Sequence, residues 1–465
     1  MVEEATPSRT ALVRRARPIS RELARLYPDA RTELNFAPNP GTLIAGRAVM
    51  GLGAGASEPV TLSMLRHLYP GERARSRAIA VWAATSGLAL AAGPVVGGIL
   101  VGLWSWQGIW FNLAFGLAAL VVAAVILPGN ADPAAARVDT AGTLLGAGAL
   151  AAFVFAIIDS ESAGFGSAEV IALLCASAVL LAAFIWRERR AAYPLLDLRF
   201  FRIPQFTTPN IVAFCTYFST FGILFFTALY LAEVAGASGY RLALVFLPMT
   251  VLMIAATLLA GRWTVRTGPR RSITAGCALF AAGLFLADGS LSPHPDYGLL
   301  MVALGLAGLG IGTTGVPVIS AVLSAVPPER SGMAASATST SREIGAVTGV
   351  AILGWLVISQ LRSSLTVQLN HLGIPAQFQA LVINAVETGQ IPQNTSAYAG
   401  CGKIVQEVIG AAYTAFHDGL HVALYLSAGL VLAASLLAFI TLRSRPAGGI
   451  FTVLPRSSDR DDGQP

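Results

Sequence analysis

The chain has 465 residues, 55% of them hydrophobic and only 12% charged, with a mean hydropathy of +0.66; this excludes an ordinary soluble domain and forces a membrane class. The formal net charge of +6 does not call for nucleic acid, because the basic residues cluster in short stretches between apolar runs, the pattern of cytoplasmic loops in membrane proteins. Four cysteines without CxxC spacing and five scattered histidines indicate neither a disulfide framework nor a metal site. His417 and His421 are four residues apart, but no metal is expected there.

In chain order, residues 1–40 carry seven arginines against five acids and no apolar stretch of signal-peptide length, so they read as a non-membrane, Arg-rich segment. Eleven candidate spans follow by length and hydropathy: 42–64, 78–104, 108–128, 138–158, 167–186, 207–232, 241–262, 272–290, 298–322, 341–361 and 419–442. The expected fold is all-α, a polytopic transmembrane helical bundle in a lipid bilayer. The connections Arg66–Arg77, Arg187–Arg202 and Arg262–Arg271 and the tail after Arg443 are Arg-rich, whereas Asp159–Glu169 and Asp288–Asp296 are acidic or neutral. Alternating the spans puts every Arg-rich stretch in the cytoplasm, 446–465 as a cytoplasmic tail, and 362–418 outside as an extended loop.

The run Ala78–Trp104 contains GLALAAGPVVGG, from Gly87 to Gly98. Pro94 removes a backbone donor, while Gly87, Gly93, Gly97 and Gly98 strip side chains from one stretch, predicting a bendable helix that a neighbour can approach closely. Gly51-Leu-Gly-Ala-Gly55 followed by Pro70-Gly-Glu-Arg73 returns as Gly308-Leu-Gly-Ile-Gly312 followed by Pro327-Pro-Glu-Arg330, an offset of 257 residues. One plan is therefore used twice.

Ionisable groups within spans are the candidates for function. Arg47 lies four or five residues inside its span, where it serves either coupling or snorkelling. Glu58 returns to the same helical face about 16 Å further on, near the helix end, where a solvated carboxylate competes with a proton site. Arg342, with Glu343, is expected to begin a helix on the cytoplasmic side, in a gating or a purely structural role. Glu233 and Asp159 close their helices as solvated carboxylates. Phe214, Tyr217, Phe218, Phe221, Phe225, Phe226 and Tyr230 either line an apolar cavity or face lipid.

These motifs resemble those of the fourteen-helix drug:proton antiporters of the major facilitator superfamily. Gly93, Pro94, Gly97 and Gly98 match the GPxxGG core of that family's antiporter motif, with Gly87 two positions upstream of its consensus place. LIAGRAVMGLGAG, Leu43–Gly55, is similar to the fourth-helix motif, with Arg47 in the arginine position and Met50 where glutamine is usual. GRWTVRTGPRR, Gly261–Arg271, resembles the cytoplasmic loop motif through Gly261, Arg266, Gly268, Arg270 and Arg271, with Thr264 in place of the acid. REIGAVTG, Arg342–Gly349, and Phe416–Leu424 are similar to the last two helices.

The resemblance implies two pseudo-symmetric halves: 41–130 as the remainder of the first, 131–190 as two extra linker helices, and 191–445 as the second. It implies export of hydrophobic small molecules or drugs by alternating access, driven by a proton gradient, with no cofactor, in a monomer of the plasma or inner membrane. The helices at 207–232, 241–262 and 272–290 should have first-half counterparts ending near residue 33, which residues 1–40 do not supply. The expectation is an exporter without its first three helices, leaving open a nonfunctional fragment, an N-terminal arm that replaced them, or transport of another small metabolite. An enzyme is not expected, since the spans hold no paired acids or HExxH.

Overall fold

The computed structural model describes residues 72–104, 110–126, 139–191, 194–233, 236–291, 296–327, 330–371 and 402–442, with Gln379 and single positions between 46 and 69. Residues 1–57 and 58–465 form separate compact units; the described positions of the first, between Gly46 and Ser57, are helical. Within the second, the helices are α1 (Glu72–Trp104), α2 (Trp110–Ile126), α3 (Thr140–Ala163), α4 (Ala168–Arg190), α5 (Pro204–Glu233), α6 (Gly239–Thr267), α7 (Pro269–Asp288), α8 (Tyr297–Ser324), α9 (Ser331–His371) and α10 (Gly402–Thr441). Each of α3 to α10 holds a stretch long and apolar enough to cross a membrane, and α2 is a shorter apolar helix. Among the described residues there is no strand.

Local chemistry sets the helix ends. Asp139, Ser167 and Asp296 accept from the amides of Gly142, Val170 and Leu299, which stops the N-termini of α3, α4 and α8. Gly268 has φ +82; it is the only residue between α6 and α7, and Pro269 starts the second helix. The expected Arg-rich loop Arg262–Arg271 is therefore mostly helical, because Thr264 bonds back to the Ala260 carbonyl at 2.7 Å and meets Ser272 Oγ at 3.2 Å, burying both hydroxyls.

Two further expectations are corrected. Helix α9 starts at Ser331, ten residues before the predicted span, so Arg342 lies three turns inside rather than at the helix start. The stretch Ser331–Ser341 has little hydropathy, but its small side chains bury, and Thr338 and Ser341 satisfy their hydroxyls on the carbonyls of Ala334 and Ala337. The outer loop 362–418 is also shorter than expected, since α9 runs to His371 and α10 begins at Gly402. Leu361, Leu365 and Leu369 repeat at helical spacing through a polar stretch and bury against Ala411, Ala412 and Ala415.

The main core joins α5 to α10, and glycine sets its spacing. A Cβ on Gly308 or Gly312 would strike the carbonyls of Met249 or Met253 on α6, and one on Gly310 would strike the Phe280 amide on α7. Gly345 and Gly349 on α9 stand in the same way against the carbonyls of Phe214 and Phe218 on α5. Hydroxyls add interhelical bonds to α10: Thr208 to Thr441 at 2.8 Å, Ser219 to the Ser427 carbonyl at 3.3 Å and Ser435 to the Thr274 carbonyl at 2.9 Å.

Helices α3 and α4 form a hairpin through Ser177, which donates to the Ala149 carbonyl at 2.9 Å, and through Phe184 over Gly146. Phe165, in the turn between them, lies edge-on to Trp355 of α9 at 5.3 Å. After α4 a short strap crosses to α5 through the turn Leu198–Arg202. Asp197 accepts from the Arg199 side chain at 2.9 and 3.0 Å, and its own amide donates to Met333 Sδ at 3.2 Å. That paired guanidinium holds the Asp197 carboxyl below the usual range, and Asp197 in turn raises Arg199.

Candidate transport site

Arg342 is the predicted site residue with the most developed surroundings. It projects from α9 with its guanidinium carbon 5.3 Å from the centre of the Tyr217 ring on α5, a cation–π arrangement. It also borders a narrow open cleft with room for about one water molecule, whose walls come from α1 (Trp82), α8 (Ile319, Val322) and α9 (Thr338, Ser339). The Trp82 indole donates to Thr61 Oγ1 at 3.1 Å, which fixes one wall. The walls are apolar, with two hydroxyls and one permanent cation at the edge. The chemistry of that lining suits an apolar body with one acceptor or negative group, but only after the helices part, because the space present is that of a water.

Sequence reasoning passed over Trp82, although a signal for it existed. The 257-residue offset carries Trp82 onto Ser339, so equivalent positions of the two copies face one cleft. Tyr217 stood only as one of seven aromatics. The structure divides that group: Phe218, Phe226 and Tyr230 are buried in the helix core, Phe225 is exposed, and Phe214, Tyr217 and Phe221 lie between. The group is neither one pocket stripe nor one lipid face.

The antiporter-motif residues lie on α1, which stays helical through Pro94. Gly98 is where α1 meets α6: a Cβ there would come within 2.7 Å of the Gly239 carbonyl and 3.2 Å of Ala243 Cβ. Gly93 and Gly97 would meet nothing within 4 Å. Close approach therefore explains Gly98 and leaves the other two unexplained by packing. Gly87 and Pro94 fall within the same helix, and their surroundings lie outside the described residues.

In the loop motif, Gly268 makes the bend, while Gly261 has only Val316 Cγ1 near its missing side chain, at 3.9 Å. Arg270 stacks over Phe439 of α10 at 4.2 Å, and Arg266 and Arg271 are exposed. Arg47 and Glu58 lie outside the described residues. Asp159 is half-buried in the last turns of α3 rather than fully solvated.

His417 and His421 sit about four and five turns inside α10. They turn to different neighbours: His421 Nδ1 meets Asp288 Oδ1 of α7 at 2.7 Å, while His417 faces the Tyr230 ring. Among the described residues no group of three or more metal-ligating side chains forms.

Apolar helices packed through glycine around a small amphiphilic cleft define a multi-pass membrane protein built like a transporter. Residues 32–350 match the Major Facilitator Superfamily. The chain is 31% identical over 398 residues to the multidrug resistance protein Stp of Mycobacterium tuberculosis, covering 84% of this chain and 73% of that protein. It is 29% identical over 425 residues to the tetracenomycin C resistance and export protein of Streptomyces glaucescens, covering 89% and 77%. With the drug efflux pump JefA of Mycobacterium tuberculosis it shares 30% over 414 residues, covering 86% and 80%. The chain belongs to the major facilitator superfamily and is a multi-pass protein of the plasma membrane.

Proposed function

We propose that the chain exports hydrophobic small molecules, drugs among them, in exchange for protons by alternating access. The similarity to a multidrug resistance protein, an antibiotic export protein and a drug efflux pump carries this reading. The cleft is too narrow here to hold such a compound, but its apolar walls and single guanidinium are the chemistry an amphiphile would meet when the helices part. Residues from both copies of the repeat line that cleft, so a rocking of one half against the other would change its exposure. By the positive-inside rule the Arg-rich helix ends would lie in the cytoplasm, which supports a cleft that loads from that side.

Purified chain in liposomes with an imposed pH gradient is expected to move a fluorescent hydrophobic dye, and a protonophore to stop it. Arg342→Ala should slow uptake about tenfold, the loss of one charge-assisted contact, while Arg342→Lys retains part of the rate. Dye movement that survives the protonophore would overturn proton exchange. An unchanged Arg342→Ala would remove the cleft from the route.

A further inference from the structure

The linker hairpin holds two acids that neither the cleft nor the family motifs use. Asp139 caps α3 with Oδ1, which accepts from the Gly142 amide and from Arg187 Nη2, both at 3.1 Å. Glu188, near the end of α4, accepts from the Leu196 amide of the strap on Oε2 at 3.0 Å. The second oxygen of each, Asp139 Oδ2 and Glu188 Oε1, is buried without a hydrogen-bond partner. Both side chains are more than nine-tenths buried, Glu188 at 5% relative exposure and the Asp139 side chain at 6%.

The two partnerless oxygens converge. A Cβ on Gly142 would lie 2.8 Å from Asp139 Oδ2 and 3.0 Å from Glu188 Oε1, so the oxygens are within the ~6 Å over which carboxylates feel one another strongly. Glycine leaves that point empty. Two buried, ionised carboxylates facing one gap would be costly, and among the described residues the charged groups acting on Glu188 are Asp139 and Arg187. Arg187 is already engaged with the far oxygen of Asp139. The strap contributes only the Leu195 and Leu196 amides.

We propose that Glu188 and Asp139 form a proton-binding site, in which Glu188 carries a proton on Oε1 facing ionised Asp139 Oδ2 across the gap beside Gly142. The proton decides whether Glu188 stays seated. Once it leaves, repulsion from Asp139 drives the carboxylate out and frees the Leu196 amide, loosening a strap that is docked through Asp197 on Met333 in the first turn of α9. The helix so addressed is the one that carries Arg342. The site stands whether or not export is coupled to protons.

The test uses the purified full chain in detergent. Infrared difference spectra across a pH titration should show a protonated-carboxyl band that disappears on raising the pH and is absent from Glu188→Gln. Folded-state protonation stabilises below the ordinary glutamate range and is lost as pH rises. The folding equilibrium of the wild type should therefore fall roughly tenfold per pH unit relative to Glu188→Gln, until Glu188 ionises. Amide exchange in peptides covering 194–203, corrected for the intrinsic rate, should accelerate over the same range in the wild type alone. Should Glu188→Gln fail to fold, Asp139→Asn serves instead: removing the neighbouring negative charge should make Glu188 give up its proton at lower pH, so the carboxyl band disappears earlier in the titration. No carboxyl band, or a stability that follows sodium concentration rather than pH, would overturn the proposal.

Discussion

Helices α4 and α8 could both cross a membrane, yet the more apolar of the two is the less buried. The best window of α4 has a mean hydropathy of 2.5 with 11% of it buried, against 1.9 and 67% for α8. Leu181 and Val179 of α4 are exposed, as suits side chains facing lipid, whereas α8 spends Gly308, Gly310 and Gly312 on backbone contact with α6 and α7. In a bilayer, apolarity marks what touches lipid, and small size marks what touches protein.

The sharpest way to break this contrast is to change a packing position on α8 and a lipid-facing position on α4. Gly308→Leu would drive a side chain into the Met249 backbone, which cannot yield as a flexible side chain would, so the expected result is no single folded species on size exclusion in detergent. Val179→Ala on α4 should shift Tm by no more than the scatter among surface substitutions.

A smaller effect is expected at the outer ends of α9 and α10. Leu365→Ala, at a fully buried position, should cost about 2–4 kcal/mol. Loss of Tm together with faster proteolysis between 372 and 401 would check it. Full stability in that variant would mean that the helix ends hold without their leucines.

The smallest effect belongs to the hairpin. The Gly142 amide and then Arg187 hold the Asp139 carboxyl below its ordinary value. A depressed carboxylate stabilises above the unfolded value of about 3.9 and loses that contribution as pH falls through the folded value. The Tm gap between wild type and Asp139→Asn, present at pH 6, should therefore close below about pH 4. A gap that persists in acid would show that Asp139 works there without its charge.

The same contrast explains what could be read from the chain. Long apolar runs gave nearly every described helix, because lipid-facing leucines and valines announce themselves. The first three turns of α9 were hidden, since Ser, Ala, Gly and Thr lower hydropathy in the very positions that pack tightly. The last turns of α9 were hidden for the opposite reason: one leucine in four suffices when the partner is alanine. Arg342 was legible as a charge within a helical region, but its Tyr217 neighbour and the Trp82 wall come from helices far away in sequence. Asp139 and Glu188 gave no signal at all, because each looks like an ordinary helix-end charge until the fold brings their oxygens together.

Helix α9 has 41 residues, about 60 Å at 1.5 Å per residue, or twice the hydrocarbon thickness of a bilayer. Part of it must stand in water, and its leucine-bearing end does so paired with α10. That paired stub is a helical handle beyond the membrane core. A binder raised against it would add the ordered mass that particle alignment needs from a transporter of this size, and binding to intact cells would show whether this end faces outward, as the Arg distribution predicts.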